Sequence, residues 1–178
     1  MTIIQRVVPL VRMSMNAKQP TVIRPGESDS FDWGGFGVDW KIDGVDTGGR
    51  FAIVHHTPFD PGVLAAPLHL HHNEDEYSYV LEGTMGALLG DEVVEAETGS
   101  WVFKPREQWH TFWNAGDTPC HIIEVISPAG FEDYFREVTD AEDDVDRWSA
   151  INDEYSLEMD FDSVPDLCER FGLTYPDG

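Results

Sequence analysis

Four residues in the middle of the chain have the types and the spacing of a metal site. His69 and His71 are two residues apart, so on a β-strand both side chains leave the same face. Glu76 follows a short polar loop and opens the next β-like run, and His110 opens a later one. Any one of them alone is more often an ordinary core or solvated residue. Together, imidazole nitrogens and a carboxylate oxygen suit iron, manganese, cobalt, nickel, copper or zinc.

The elements that must position these side chains are short strands. Between residues 21 and 128, β-like segments alternate with clusters of Gly, Pro, Asn and Asp. We predict strands at 37–42, 51–58, 68–72, 76–81, 84–89, 92–95, 101–104, 110–113 and 120–127. Strands this short and this evenly spaced indicate an all-β sandwich or barrel, and rigid strands hold ligands more firmly than loops do.

The two ends of the chain have a different character. Pro9 and Pro20 discourage a helix in residues 1–20, for which we predict an extended N-terminal arm. Apolar residues fall on one helical face in 129–138 and again in 164–171, with an acidic stretch between them for which we expect a short helix and loop. The length of 178 residues suits one domain, made of the arm (1–20), a β-barrel (21–128) and C-terminal helices (129–178).

Composition excludes several classes of partner. Eleven basic residues face 34 acidic ones, and the formal net charge of -23 would repel nucleic acid and anionic membranes. No apolar run approaches the ~18 residues of a membrane helix, and the N-terminus does not have the pattern of a signal peptide. The two cysteines have no metal-type spacing. We therefore expect a cytoplasmic, acidic protein with reduced thiols and without a nucleic-acid or membrane partner.

Two longer motifs contain the four residues. The stretch from Gly62 to Gly83 has the pattern G-x6-H-x-H-x4-E-x6-G, and the stretch from Gly99 to Asn114 has the pattern G-x5-P-x-E-x2-H-x3-N. Both resemble the signature motifs of the cupin superfamily, over roughly residues 51–128. The resemblance implies an antiparallel jelly-roll barrel. It also implies one divalent transition-metal ion (Fe, Mn, Ni, Co, Cu or Zn), whose ligands would be His69, His71, Glu76 and His110.

The motifs depart from the superfamily pattern at two points. One extra residue separates Gly62 from His69, which affects a loop and not the ligands. Glu107 stands where the second motif usually has Gly. If that position needs a positive φ, Glu107 must adopt a different turn or accept a strain of ~1 kcal/mol. Neither departure removes a ligand.

The wider sequence is similar to single-cupin proteins grouped with quercetin 2,3-dioxygenases. This resemblance implies an oxidoreductase, a metal-dependent dioxygenase acting on a phenolic or enolisable small molecule. The catalytic role of accepting a proton from the substrate hydroxyl would then fall on Glu76. Two alternatives stay open: a metal-dependent isomerase, cyclase or lyase of a biosynthetic pathway, and a non-catalytic protein that binds a small molecule.

Strand alternation predicts which residues surround the ion. Ser78 and Val80 share the inward face with Glu76, and Phe112 shares it with His110, so we predict these three as substrate-binding residues. We expect a homodimer, because the arm and the exposed strand edges need cover. We also expect metal binding to weaken as the pH falls through roughly 6 to 7, where imidazoles gain protons.

The remaining polar residues of this region receive structural roles. His72 follows a ligand and should point to the opposite face of its strand. His55 and His56 are adjacent, so only one of them can face the barrel interior. Asn114 is expected to organise a turn through its side-chain hydrogen bonds.

Overall fold

The computed structural model describes residues 21–32, 35–141 and 144–176, and strands dominate it. The strands are β1 (Ser30–Asp32), β2 (Gly37–Ile42), β3 (Ala52–Phe59), β4 (Leu68–His71), β5 (Asp75–Glu82), β6 (Thr84–Leu89), β7 (Glu92–Glu97), β8 (Trp101–Lys104), β9 (His110–Asn114), β10 (Cys120–Ser127) and β11 (Leu157–Asp160). The helices are α1 (Gly44–Thr47), α2 (Tyr134–Ala141), α3 (Val145–Glu154) and α4 (Ser163–Phe171), with a 3-10 turn at Phe131–Asp133.

The strands form two antiparallel sheets. One has the order β1-β2-β3-β10-β5-β8 and the other has the order β11-β4-β9-β6-β7. The non-sequential neighbours in both sheets are those of a jelly roll, although the sheets do not close into a continuous barrel. The all-β jelly-roll fold expected from the sequence is therefore confirmed.

The interior between the sheets changes from polar to apolar along the strands. In β5, alternate residues are buried, starting with the charged Glu76 and reaching the apolar Val80. Val80 belongs to a packed apolar cluster with Phe59, Met85 and Ile122, all fully buried. Apolar burial at this end holds the sheets together and leaves the other end for chemistry.

The C-terminal segment packs on the strands, as the sequence predicts. Phe131, Tyr134 and Val138 of the 3-10 turn and α2 form a second apolar cluster with strands β2, β3 and β10. Helix α4 packs on the outside of the five-stranded sheet, where Phe171 stacks on Trp113 at a ring-centroid distance of 4.5 Å. Within the described part of the chain, no helix is long and apolar enough to cross a membrane.

The sequence predicts the positions of nine strands closely, but it does not predict three other elements. The bounds of β2, β6, β8 and β10 agree with the prediction to the residue, and the other five predicted strands differ by one or two residues at their ends. Strands β1 and β11 and helix α1 were not predicted. The predicted helix at 129–138 starts later, as the 3-10 turn followed by α2. The predicted arm at 1–20 lies outside the described residues, and the single-domain division stays a prediction.

The outward face of the six-stranded sheet has exposed aromatic side chains. Tyr77 stacks on Phe103 and Tyr79 lies against Trp101, each pair at 4.9 Å between ring centroids. Trp101 is 62% exposed and Phe103 is 51% exposed, both on β8, the strand at the end of this sheet. We call these four residues the aromatic face. Contiguous exposed apolar side chains can mark an interaction surface.

Candidate metal centre

The structure brings the four predicted ligands together. His69 and His71 come from β4, Glu76 from β5 and His110 from β9, and all four are buried. One nitrogen or oxygen atom from each lies within 4.8 Å of the others. Ligands about 2.1 Å from one shared ion are at most about 4.2 Å apart, so the cluster needs to contract by only about half an ångström. The ligand roles stay predictions, and the distances between the four ligand atoms are close to those that a shared ion requires.

Hydrogen bonds on the far side of each imidazole orient the three histidines. In every case Nδ1 lies beside an oxygen: Pro67 O at 2.8 Å from His69, Glu74 Oε1 at 2.6 Å from His71, and Gln108 O at 3.0 Å from His110. When Nδ1 carries the proton, Nε2 presents a lone pair, which is the usual arrangement around a bound metal. The Nε2 atom of His71 is buried with no hydrogen-bond partner among the described residues. Such an orphaned acceptor fits a metal ion.

Burial favours the neutral form of His69 and of His110. It lowers the pKa of His69 well below its ordinary value, and neighbouring His110 and His71 lower it further. The pKa of His110 is also lowered, again mainly by burial. Neutral imidazole is the form that ligates a metal. Because the pKa values of His69 and His110 are lowered, we expect metal binding to be lost at a pH below the range of 6 to 7 that the sequence predicts.

A buried lysine, which sequence reasoning missed, contacts the predicted ligand Glu76. Lys104 Nζ lies 2.9 Å from Glu76 Oε2 and 2.9 Å from Glu124 Oε2, and Ser78 Oγ donates to the same Glu124 oxygen at 2.8 Å. Burial raises the pKa of Glu76, but Lys104 and the histidines outweigh it and hold that pKa well below its usual range. Burial lowers the pKa of Lys104, but its two carboxylates raise it above the ordinary value. Burial raises the pKa of Glu124 to about 7.

Strand alternation could have revealed this network. Lys104 shares the inward face of β8 with Val102, and Glu124 shares the inward face of β10 with Ile122 and Ile126. A charged residue at an inward position of a predicted strand is a signal of a buried polar site.

The three predicted substrate-binding residues have different surroundings. Phe112 lines the cavity beside the cluster, and Lys104 Nζ lies 4.7 Å from its ring centroid. Ser78 and Val80 do face inward, but neither reaches the cavity wall. Ser78 is fully buried against Glu124, and Val80 is part of the apolar cluster below. The geometry therefore supports the substrate-binding prediction for Phe112 and does not support it for Ser78 and Val80.

A cavity of about 770 Å³ opens beside the four residues. Its described lining is mainly aromatic and aliphatic and includes no lysine or arginine. Aromatic side chains come from the strands, from the residue before β2 and from the C-terminal segment, among them Phe36, Phe112, Phe131, Phe135, Trp148 and Tyr175. His69, His71 and Glu76 line the same space. The C-terminal segment thus completes the wall of a site whose histidines and glutamate come from the strands.

Of the two adjacent histidines, His56 faces the cavity and His55 faces outward, as alternation requires. His56 stacks on Phe36 at 4.8 Å, and its Nε2 atom lies 4.0 Å from Glu124 Oε2. Burial lowers the pKa of His56 to about 3. His55 lies on the outer side, with Nδ1 3.4 Å from Asp39 Oδ2. His56 is therefore a neutral side chain of the cavity wall.

The loop before β9 shows what the departure at Glu107 costs. Glu107 keeps the positive φ of +62° expected for a glycine, so it accepts the strain instead of changing the turn. Its carboxylate lies 3.0 Å from His72 Nδ1, and Glu158 lies 2.8 Å from His72 Nε2. His72 is a half-exposed side chain that points away from the cluster, as expected. Asn114 bridges its turn, donating to Phe59 O and Thr118 O and accepting from Gly116 N, also as expected.

Comparison with known proteins gives a family and several partial relatives. The sequence model of the family described as "Cupin domain" matches residues 55–126. The alginate biosynthesis protein AlgA of Pseudomonas putida is 29% identical over 119 residues, which is 67% of this chain and 21% of that protein. The tetracenomycin polyketide synthase protein TcmJ of Streptomyces glaucescens is 30% identical over 81 residues, which is 46% of this chain and 54% of that protein. The chain thus spans about a fifth of AlgA and about half of TcmJ.

Solved structures share the fold at low sequence identity. KdgF from Halomonas has a TM-score of 0.55 at 20% identity, covering 64% of this chain and 98% of that one. A predicted oxalate decarboxylase from Thermotoga maritima has a TM-score of 0.54 at 21% identity, covering 61% and 99%. The nucleoside dehydratase Pac13 has a TM-score of 0.51 at 15% identity, covering 64% and 87%. At these identities the likeness shows the jelly-roll fold alone.

Proposed function

We propose, on the premise that this chain belongs to the cupin superfamily, that it is a metal-dependent dioxygenase acting on a neutral phenolic or enolisable small molecule. One observation carries the proposal. Three imidazoles and a carboxylate are buried together at the wall of a large cavity whose other lining is mainly aromatic and aliphatic. Large apolar pockets with a few convergent polar groups are typical of small-molecule sites.

The lining of the cavity favours one class of substrate. Aromatic walls suit a planar, apolar ligand, which can stack or make edge contacts with them. Phosphorylated and other strongly anionic molecules would find no lysine or arginine in the described lining and would be repelled by a net charge of -23. The volume of about 770 Å³ is large enough for a molecule of several fused or linked rings.

The residues of the site have distinct tasks in this proposal. His69, His71, Glu76 and His110 would hold the ion, which would lower the pKa of a substrate hydroxyl and stabilise the anion that forms. The carboxylate of Glu76 would accept the proton of that hydroxyl. Phe112 and Phe131 flank the ligands, since Phe112 lines the cavity and Phe131 lies 4.3 Å from the ring of His71. Their apolar rings would exclude water from the reacting atoms.

The partial match to TcmJ favours a second candidate. That relative is described as a protein of a polyketide synthase. By this analogy the same site would serve a metal-dependent isomerase, cyclase or lyase of a biosynthetic pathway, which rearranges a phenolic or enolisable substrate without consuming oxygen. The cavity suits both candidates, so the reaction itself must separate them.

Metal content is the first test of the proposal. The purified protein should contain about one transition-metal ion per chain after reconstitution, and His69→Ala or His110→Ala should remove it. His121→Ala is the matched control, because His121 lies outside the cluster beside Glu82. Elemental analysis measures all four proteins. Wild-type metal content in both ligand variants would contradict the assignment of the site.

Oxygen consumption then separates the reactions. Reconstituted protein is mixed with a panel of flavonols, catechols and β-diketones while dissolved oxygen and product masses are followed. The dioxygenase proposal expects uptake of one O₂ per product, with both labelled atoms found in the product from ¹⁸O₂. A product isomeric with its substrate and no oxygen uptake would support the second candidate. Binding of the panel without turnover of any member would indicate a non-catalytic binding protein.

A further inference from the structure

Lys104 is a buried cation with two carboxylate partners, and only one of them is a predicted metal ligand. The antiparallel register of β5 and β8 places Lys104 directly opposite Glu76. Its side chain is 1% exposed, and Nζ lies 2.9 Å from an oxygen of both Glu76 and Glu124. A buried charge is retained only where partners compensate its desolvation, and Lys104 has two such partners.

Glu124 is held independently of the metal cluster. It lies opposite Ser78 in the pairing of β10 with β5, and Ser78 Oγ donates to its Oε2 atom at 2.8 Å. Its Oε1 atom is buried without a hydrogen-bond partner among the described residues. Glu124 therefore stays in place beside Lys104 whether or not Glu76 turns toward an ion.

The two interactions of Glu76 compete for one atom. Oε2, which accepts from Lys104, also lies 3.2 Å from His110 Nε2 and 3.7 Å from His71 Nε2. The oxygen that faces the imidazoles is thus the oxygen that Lys104 holds. A divalent ion between the imidazoles would share this atom with an ammonium group and would be repelled by its charge, while Glu124 would offset part of the repulsion.

We propose that Lys104 and Glu124 are positioning residues that make Glu76 an exchangeable ligand. The three imidazoles hold the ion. Lys104 is an alternative partner for the carboxylate of Glu76 inside the site. Glu124 weakens the interaction between Lys104 and Glu76, because it binds the same ammonium group. A chelating substrate oxygen can then take the place of Glu76 without leaving a buried carboxylate unpaired. This inference rests on the proposed metal site and adds a reason for its buried lysine.

Opposite effects of two substitutions test the pair. In Lys104→Met the ion no longer competes with a cation, so affinity for Co²⁺ should rise about tenfold or more. In Glu124→Gln the lysine keeps only Glu76 as a charged partner, so affinity for Co²⁺ should fall about tenfold or more. Titrations at about pH 8 keep Glu124 ionised, since its pKa is about 7. Lys104→Arg, which keeps the charge, should stay close to wild type.

A purely structural role would give a different pattern, because loosening the interior would weaken Co²⁺ binding in both variants. Reduced affinity in both Lys104→Met and Glu124→Gln, or no change in either, would overturn the proposal. Should Lys104→Met not fold, Lys104→Gln takes its place, and tighter Co²⁺ binding is again expected after loss of the charge, against weaker binding in Glu124→Gln. Absence of Co²⁺ binding by the wild-type protein would instead refute the metal site itself.

The visible absorption of bound Co²⁺ gives a second readout. Kojic acid, a small enolisable chelator, serves as the probe of ligand exchange. It should perturb the Co²⁺ spectrum of the wild-type protein at a several-fold lower concentration than that of Lys104→Met, where Glu76 has no other charged donor to turn to. Equal concentrations in the two proteins would overturn the exchange of Glu76.

Discussion

The two faces of strand β5 reverse the usual distribution of side chains. Glu76 and Ser78 point into the interior and are buried, while Tyr77 and Tyr79 point outward and join the aromatic face. The neighbouring strand β8 follows the same pattern, with Lys104 inside and Trp101 and Phe103 outside. Position along a strand therefore decides burial here more strongly than polarity does. The inward residues of β5 thus belong to the candidate site, and its outward residues belong to the aromatic face.

The inner face carries charges at a cost that only mutual pairing offsets. Each buried ion costs several kcal/mol of desolvation, so Glu76, Lys104 and Glu124 stabilise the fold only as a set. The outer face differs, because its aromatic rings are exposed to water. They would contribute hydrophobic stabilisation only if another surface covered them. The following predictions test this difference between the faces, beginning with the largest effect.

Adjacent residues of β5 should differ most in metal binding. Glu76→Ala removes a predicted ligand, whereas Tyr77→Ala changes only the outer face. With Co²⁺ at about 100 times its dissociation constant, the ion should stabilise wild type and Tyr77→Ala by about 2.7 kcal/mol. Glu76→Ala should lose most of this gain. Thermal unfolding with and without Co²⁺ measures it, and equal stabilisation of the two variants would contradict the assignment of faces.

The inner histidine His56 should make the metal-free protein sensitive to acid. Burial lowers its folded pKa to about 3, whereas the unfolded chain takes up a proton near 6.5. Below 6.5 the unfolded state therefore binds more protons than the folded state, and stability falls as the pH falls toward 3. Between about pH 6.5 and about pH 3, each unit of falling pH should lower the free energy of unfolding by about 1.4 kcal/mol through this one group.

His56→Phe should make that decline shallower by about the same amount per unit. His72 provides a control of opposite sign, because Glu107 and Glu158 raise its pKa. His72 therefore favours folding in acid and loses that contribution as the pH rises through its folded pKa. Urea unfolding across the acid range measures His56→Phe and the control variant His72→Phe. An unchanged slope in His56→Phe would show that His56 is not buried in its neutral form.

The homodimer expected from the sequence stays a prediction, and the aromatic face is where we expect the second copy to bind. Strand β8 lies at the end of its sheet in the described chain, so two copies related by a two-fold axis could pair along it. Trp101→Ser combined with Phe103→Ser should shift the dimer to monomer in light scattering. Val93→Ser, an exposed apolar residue on β7, is the matched control and should stay dimeric. An unchanged mass in the double variant would exclude this face as the contact.

The smallest expected effect belongs to the loop that lies on neither face. Glu107 has a φ of +62°, so Glu107→Gly should relieve backbone strain and raise the free energy of unfolding by up to about 1 kcal/mol. The bond from Glu107 to His72 is exposed and should contribute little. Chemical denaturation measures the change. A loss of stability would mean that the contact with His72 outweighs the strain.

Repetition made most of the fold and the cluster predictable from the sequence. Strands such as β10, with Ile122 and Ile126 buried, alternate between inward and outward residues. This period of two can be recognised in the sequence without knowing which strands lie beside it. The ligands were predictable because two motifs fix their spacing. Lys104 was missed because a lysine at the end of a strand is usually solvated, and only the partners across the sheet show otherwise. Strand β11 was missed because its sequence, LEMD, is short and acidic, and its hydrogen bonds with β4 define it.

The pairing of β11 with β4 has a consequence for the order in which the protein matures. Four residues of β4, including His69 and His71, pair with β11, whereas β4 pairs with β9 only at His69 and His110. On the ribosome, the ligand strand emerges long before residues 157–160, which complete its sheet. Loading of the ion should therefore wait until β11 has emerged and paired with β4, and chains cut short before β11 should compete poorly for scarce metal in the cell.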